Sequence, residues 1–266
     1  MNRQPIGVFD SGVGGLTVVR ELMRALPNEE IIYFGDTARV PYGAKTKETV
    51  TKYAMQIVNF LMTKNVKTIV IACGTVSSNS YEALRAAFDV PIVEMVSHGA
   101  AMCLDVTENN RIGVIGTEAT VRSGAYERCI RACRPEAEVF AKACPLFVPL
   151  AEENWTHNAV AEMTAELYLQ ELTARGIDTL VLGCTHYPLL EDCIRKAVGG
   201  VRIVNPAEAA AAYVAQFLTA NGLERTERAA PRHTFCVSDN TRMFDRICRL
   251  VLNAPYPAET VDIETY

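Results

Sequence analysis

Short runs rich in valine and isoleucine alternate with longer stretches of helical periodicity along the chain, and that alternation admits few folds. IGVFD (6–10) is followed by a helical segment from Gly15 to Leu26 and then by IIYFG (31–35). The same rhythm continues through TIVIA (68–72), PIVEM (91–95), RIGVIG (111–116), AEVFAKA (137–143), TLVLG (179–183), VRIVN (201–205) and HTFCVS (233–238). Helices are predicted over 46–64, 78–88, 98–105, 121–132, 156–174, 189–198, 206–220 and 240–252. Apolar runs without polar alternation belong to strands covered on both faces, so the expected class is α/β with mostly parallel sheets flanked by helices.

A weak internal repeat refines this expectation. IGVFDSG precedes Cys73 with 66 residues from Gly7, and IGVIGTE precedes Cys184 with 71 residues from Gly113. Similar openings at similar spacing predict two pseudo-symmetric α/β domains with a cleft between them. The expected division is 1–97 plus 207–266 for the first domain and 98–206 for the second. ERTERAAPRHT (224–234) reads as a polar surface loop.

Ligands in open parallel sheets bind beyond the carboxyl ends of the strands. TIVIACGT (68–75) and TLVLGCTH (179–186) each end an apolar run in a cysteine with a threonine close behind. Two thiols facing one carbon from opposite sides can remove a proton and return it with inverted stereochemistry. Helix N–H groups beside such a thiol are expected to bring its pKa down toward neutrality.

Other segments add candidate ligand groups. FDSGVGGLTV (9–18) has glycines at 12, 14 and 15, which departs from the dinucleotide fingerprint G-x-G-x-x-G but suits a small carboxylate at a helix start. Asp10 at that strand tip is able to act on protons or to cap the helix. Pro41, Tyr42 and Gly43 form a turn expected to project amides and a phenol toward the cleft. Thr117 and Thr120 stand three apart at a helix start, Glu152 and Glu153 read as loop carboxylates, and His186 lies two residues past Cys184.

Composition removes several function classes. The net charge of −5 offers no basic surface for nucleic acid. No apolar run approaches the roughly 18 residues a membrane span needs, and no leader pattern opens the chain, so a cytoplasmic protein is expected. Nine cysteines, an odd number, read as reduced thiols. Their irregular spacing, with Cys129 and Cys133 the closest pair, supplies no four-ligand metal set.

Taken in order, FDSGVGGLTV, DTARVPYG, ACGTVSS, GTEATVRSGAY and LGCTHYPLL resemble the bacterial glutamate racemases over nearly the whole chain. The resemblance implies interconversion of L- and D-glutamate without a cofactor, the D-form serving peptidoglycan, and a homodimer. By position it implies that Cys73 and Cys184 are the catalytic thiols, assisted by Asp10, His186 and Glu152. It implies substrate contacts at Ser11, Pro41, Tyr42, Gly43, Gly74, Thr75, Thr117, Thr120 and Thr185. One residue departs from the pattern: Gly74 follows Cys73 where the family usually has asparagine, leaving an amide unfilled that water, Asn79 or another side chain would have to replace. That departure keeps aspartate, or another amino acid, open as the substrate. Two readings from other classes are a small-carboxylate binding protein and a cysteine hydrolase using Cys184 and His186.

Overall fold

A computed structural model describes residues 3–227, 229–239 and 241–266 of the 266-residue chain. The first part runs β1 (Ile6–Asp10), α1 (Leu16–Ala25), β2 (Ile31–Gly35), α2 (Lys47–Thr63), β3 (Thr68–Ile71), α3 (Gly74–Ala87), β4 (Ile92–Glu94) and α4 (Met95–Val106). The middle follows as β5 (Arg111–Gly116), α5 (Glu118–Ser123), α6 (Ala125–Cys133), β6 (Glu138–Ala143), α7 (Phe147–Glu152), α8 (Ala159–Ala174), β7 (Thr179–Leu182), α9 (Glu191–Val198) and β8 (Arg202–Val204). The chain then closes with α10 (Pro206–Ala220), β9 (Thr234–Val237), α11 (Thr241–Leu252) and β10 (Ala258–Thr260).

Two parallel sheets result, one ordered β10-β9-β2-β1-β3-β4 and the other β6-β5-β7-β8. The order β2-β1-β3-β4 recurs as β6-β5-β7-β8, so the repeat read from the two glycine-led motifs is a repeat of topology. Cys73 and Cys184 are each the second residue beyond corresponding strands, β3 and β7.

The central strands β1, β3 and β7 are buried at every position, which accounts for their unbroken apolar runs. One face of the first sheet packs under α1, α10 and α11 through residues such as Leu16, Val214 and Phe244. Its other face packs under α2 and α3 through Ile57, Leu61 and Val76. The second sheet is covered by α8 and α9 on one side and by α4 and α6 on the other. Each sheet therefore has its own two-sided core, and the strand ends are left to meet across a cleft.

Several element boundaries differ from the sequence expectation, each for a local reason. Helix α3 begins directly at Gly74 rather than at 78, because Cys73 is extended at φ −64°, ψ 118° and its carbonyl accepts from the Ser77 amide at 2.9 Å. Helix α4 begins at Met95 because the Glu94 carboxylate caps it, accepting from the amides of Val96 and Ser97. The helix expected over 121–132 is two helices, α5 and α6, separated at Gly124 with φ +63°. The segment read as a loop around Glu152 is the short helix α7. The helix expected from 240 is seen from Thr241, Asn240 lying outside the described residues.

The loop over 224–234 is tied down by Arg225, which is buried and donates to the carbonyls of Asn28 and Ala229 at 3.0 and 2.9 Å. Arg228 within it lies outside the described residues. Among the described residues no helix is long and apolar enough to cross a membrane.

Candidate active site

Two turns beyond the β1 and β3 strand ends build one wall of the cleft. Asp10 is fully buried, and its Oδ2 accepts from the Gly12 and Gly15 amides at 3.2 and 3.0 Å, which folds the turn into α1. Gly15 is required there, since a Cβ would sit 2.5 Å from Asp10 Cβ. Ser11, beside it, lies with its Oγ 3.5 Å from Cys73 Sγ. The opposite wall comes from the β5 and β7 ends, where Thr117 caps α5 by accepting from the Thr120 amide at 3.2 Å.

The walls touch through polar contacts. Thr75 Oγ1 and Thr117 Oγ1 are 2.9 Å apart, and the Thr17 hydroxyl stands 2.9 Å from the Thr185 carbonyl. Between them lies a cavity of about 400 Å³ lined by Ser11, Pro41, Tyr42, Gly43, Cys73, Gly74, Thr75, Thr117, Glu152, Cys184, Thr185 and His186 among others. Twelve of the fourteen positions picked from the sequence therefore share one cavity. That volume lies within the usual range for small-molecule sites.

The remaining two stand behind the lining. Asp10 is absent from the lining because its carboxylate turns back onto the Gly12 and Gly15 amides, with Thr185 Oγ1 at 3.5 Å. Thr120 is buried behind Thr117, 3.1 Å from its hydroxyl, and does not line the cavity. The Tyr42 phenol, on a residue that lines the cavity, donates to the buried Asp36 carboxylate. Asp36 also accepts from Arg39 at 2.7 Å and from Ser238 at 2.8 Å, so this wall is fixed from below. Asn79 does not fill the place beside Gly74, for its amide donates to the Thr75 carbonyl at 2.9 Å.

The electrostatics of the two thiols differ. Burial pushes Cys73 up to about 12, with the Asp10 carboxylate adding to the rise and Ser11 and the Val76 amide opposing it. The sequence expectation of a thiol brought toward neutrality fails at Cys73 because loss of solvent outweighs the helix N–H groups. Cys184 is half-buried, and its Sγ lies 3.8 Å from His186 Nδ1. Burial opposes the charged form of His186, but hydrogen bonds and charge from Cys184 and Glu152 outweigh it and raise its pKa to about 10. His186 Nε2 reaches Glu152 Oε1 at 3.1 Å. Burial likewise raises Asp10, against His186 and the amides of Gly15, Gly12 and Ser11.

Sequence reading missed two groups that shape the site. Arg246 of α11 donates to the Glu152 carbonyl at 2.7 Å, holding the end of α7 from the other sheet. Pro145, Val148 and Pro149 give the cavity an apolar side. A six-residue helix beginning FVP carries too little periodicity to be read in advance. The described residues contain no group of three or more His, Cys, Asp or Glu side chains arranged to hold a metal ion.

Comparison with known proteins adds independent findings. The pattern of the Asp/Glu/hydantoin racemases matches residues 6–214. A glutamate racemase of Geobacter metallireducens is 51% identical over 243 residues, covering 91% of this chain and 90% of that protein. The structure is similar to that of a glutamate racemase isoform from Bacillus anthracis, with TM-score 0.95, 36% identity and 98% of each chain covered. It is similar, too, to a Francisella tularensis glutamate racemase in complex with D-glutamate, with TM-score 0.94, 37% identity and 100% of each chain covered.

Proposed function

The chain belongs to the Asp/Glu/hydantoin racemase family, and from that premise we propose that it interconverts L- and D-glutamate by a two-base mechanism in the cavity between its sheets. One observation carries the reading. Cys73 and Cys184 line the same cavity from equivalent strand ends of two topologically repeated sheets. Relatives named glutamate racemases at this identity and coverage support glutamate as the substrate.

In the proposed reaction a thiolate on one face of Cα takes the α-proton, and the thiol on the opposite face gives its own proton to the carbon. The negative charge passes from one sulfur to the other, no other atom is gained or lost, and the roles exchange for the other enantiomer. The neutral Cys73 thiol suits the proton donor, and the His186 imidazolium beside Cys184 stabilises negative charge on that sulfur. Glu152 holds the imidazolium, and Asp10 shapes the turn that carries Ser11.

An α-proton of an amino acid is far less acidic than a thiol, so the carbanion-like transition state needs fixed dipoles. Ser11, Thr75, Thr117 and Thr185 hydroxyls and the amides after Cys73 are the groups available, in a cavity whose apolar side restricts water. Thr120 and Tyr42 act indirectly, through Thr117 and Asp36. No step requires an electron-sink cofactor.

Residues 1–97 with 207–266, and 98–206, form the two domains that close on substrate, and the D-glutamate supplies peptidoglycan in the cytoplasm. The apolar side chains of Val160, Met163 and Leu167, 48–65% exposed along α8, suit a homodimer, which sedimentation would detect. Circular dichroism of the purified protein with each enantiomer of glutamate and of aspartate tests the reaction and substrate together. Inversion of glutamate is expected; binding without any change in optical signal would favour a carboxylate-binding protein instead.

A further inference from the structure

Gly74 opens α3 beside the cavity, and the space where its side chain would stand is already taken. A Cβ at this position would lie 2.2 Å from the Gly183 carbonyl oxygen, 3.2 Å from the carbonyl carbon and 3.8 Å from Cys184 Cα. Contacts of a Cβ below 3.0 Å essentially do not occur, so one backbone would have to retreat. The obstacle is main chain, not the flexible end of a side chain.

Neither backbone retreats easily on its own. Gly183 is held by its amide on the Ile115 carbonyl at 2.7 Å, with the Tyr126 ring directly behind. On the other side, the Ala72 amide donates to the Phe9 carbonyl at 2.9 Å, the Cys73 carbonyl accepts from Ser77, and the Gly74 carbonyl accepts from Ser78 Oγ at 2.8 Å. Each turn is thus fastened to its own sheet. A clash between them is relieved by moving one sheet, with its turn, away from the other.

We propose that Gly74 is a positioning residue: its bare Cα lets the turn carrying Cys73 seat directly on the Gly183 carbonyl, and that seat sets the spacing between the Cys73 and Cys184 thiols. The two residues in contact are the immediate neighbours of the two sulfurs, so any separation forced at Gly74 and Gly183 passes straight to the reacting groups. The missing side chain is then a requirement of close approach in this chain and not simply a lost substrate contact. A displacement of roughly 1 Å in a reacting group costs about 100-fold in rate.

This inference rests on the racemase reading for its kinetics but not for its geometry. The test compares Gly74→Ala with Gly200→Ala, a glycine whose Cβ would meet no atom within 4 Å. For Gly74→Ala, kcat in both directions is expected to fall about 100-fold with KM nearly unchanged. Its crystal structure is expected to show the Cys73 and Cys184 turns further apart, while Gly200→Ala behaves as the unsubstituted protein. Unchanged kcat would overturn the proposal. So would a structure in which the Gly183 peptide rotates while the turns keep their spacing, or a Gly74→Ala protein that does not fold, since the glycine would then be a folding requirement. If the unsubstituted protein inverts no glutamate, the functional reading fails and the turn spacing alone decides this one.

Discussion

His186 Nε2 lies 3.1 Å from Glu152 Oε1, and this contact links a strand-end turn of the second sheet to the end of a short helix. The same ring faces Cys184 with its other nitrogen, Nδ1 lying 3.8 Å from Sγ.

Replacing Glu152 by glutamine keeps an acceptor for Nε2–H but removes the charge that helps hold the imidazolium. His186 is raised to about 10 in part by that carboxylate, so in Glu152→Gln its pKa falls. The expected result is a loss of kcat on the order of 100-fold, with the alkaline limb of the rate profile moved to lower pH. Racemisation rates followed by circular dichroism across pH check both parts, and an alkaline limb that stays in place would contradict the link.

The same group makes stability depend on pH. Folded His186 binds its proton more tightly than an unfolded histidine, whose pKa is about 6.5. Its contribution is therefore complete below about pH 6.5 and is lost as pH rises toward about 10. Urea unfolding between these limits is expected to show a decline in stability that His186→Gln largely removes.

Tyr42 offers a case where structure and sequence reading diverge in a measurable way. Its hydroxyl serves the buried Asp36, so Tyr42→Phe is expected to destabilise the fold by about 1–3 kcal/mol, the cost of one lost partner of a buried polar group. KM for glutamate is expected to stay near its unsubstituted value. A large rise in KM with little loss of stability would restore the phenol to the cleft.

These cases indicate what was legible in the chain. TIVI and TLVL were readable as strands because burial on both faces leaves no polar positions. The shared cavity was legible because ligands bind beyond strand carboxyl ends and the internal repeat sets two such ends, each with a cysteine, on facing halves. Whether Asp10 caps the helix or faces the cleft was not legible, because the direction of a side chain at a turn depends on which amides it finds, and spacing does not carry that. The balance at Cys73 was also hidden: a helix start is visible in sequence, but the burial that outweighs it comes from packing among residues such as Phe9, Tyr42 and Val76, which the fold brings together. Arg246 reaches Glu152 across 94 positions of chain, a relation only the fold creates.

Two thiols working on opposite faces of one carbon give the product an α-hydrogen drawn from solvent-exchangeable sulfur, and the origin of that hydrogen is the most direct test. L-glutamate converted in deuterium oxide is expected to give D-glutamate carrying deuterium at Cα, with inversion abolished or severely reduced in both Cys73→Ser and Cys184→Ser. D-glutamate that retains its α-protium, or near-normal turnover in both serine variants, would contradict the account.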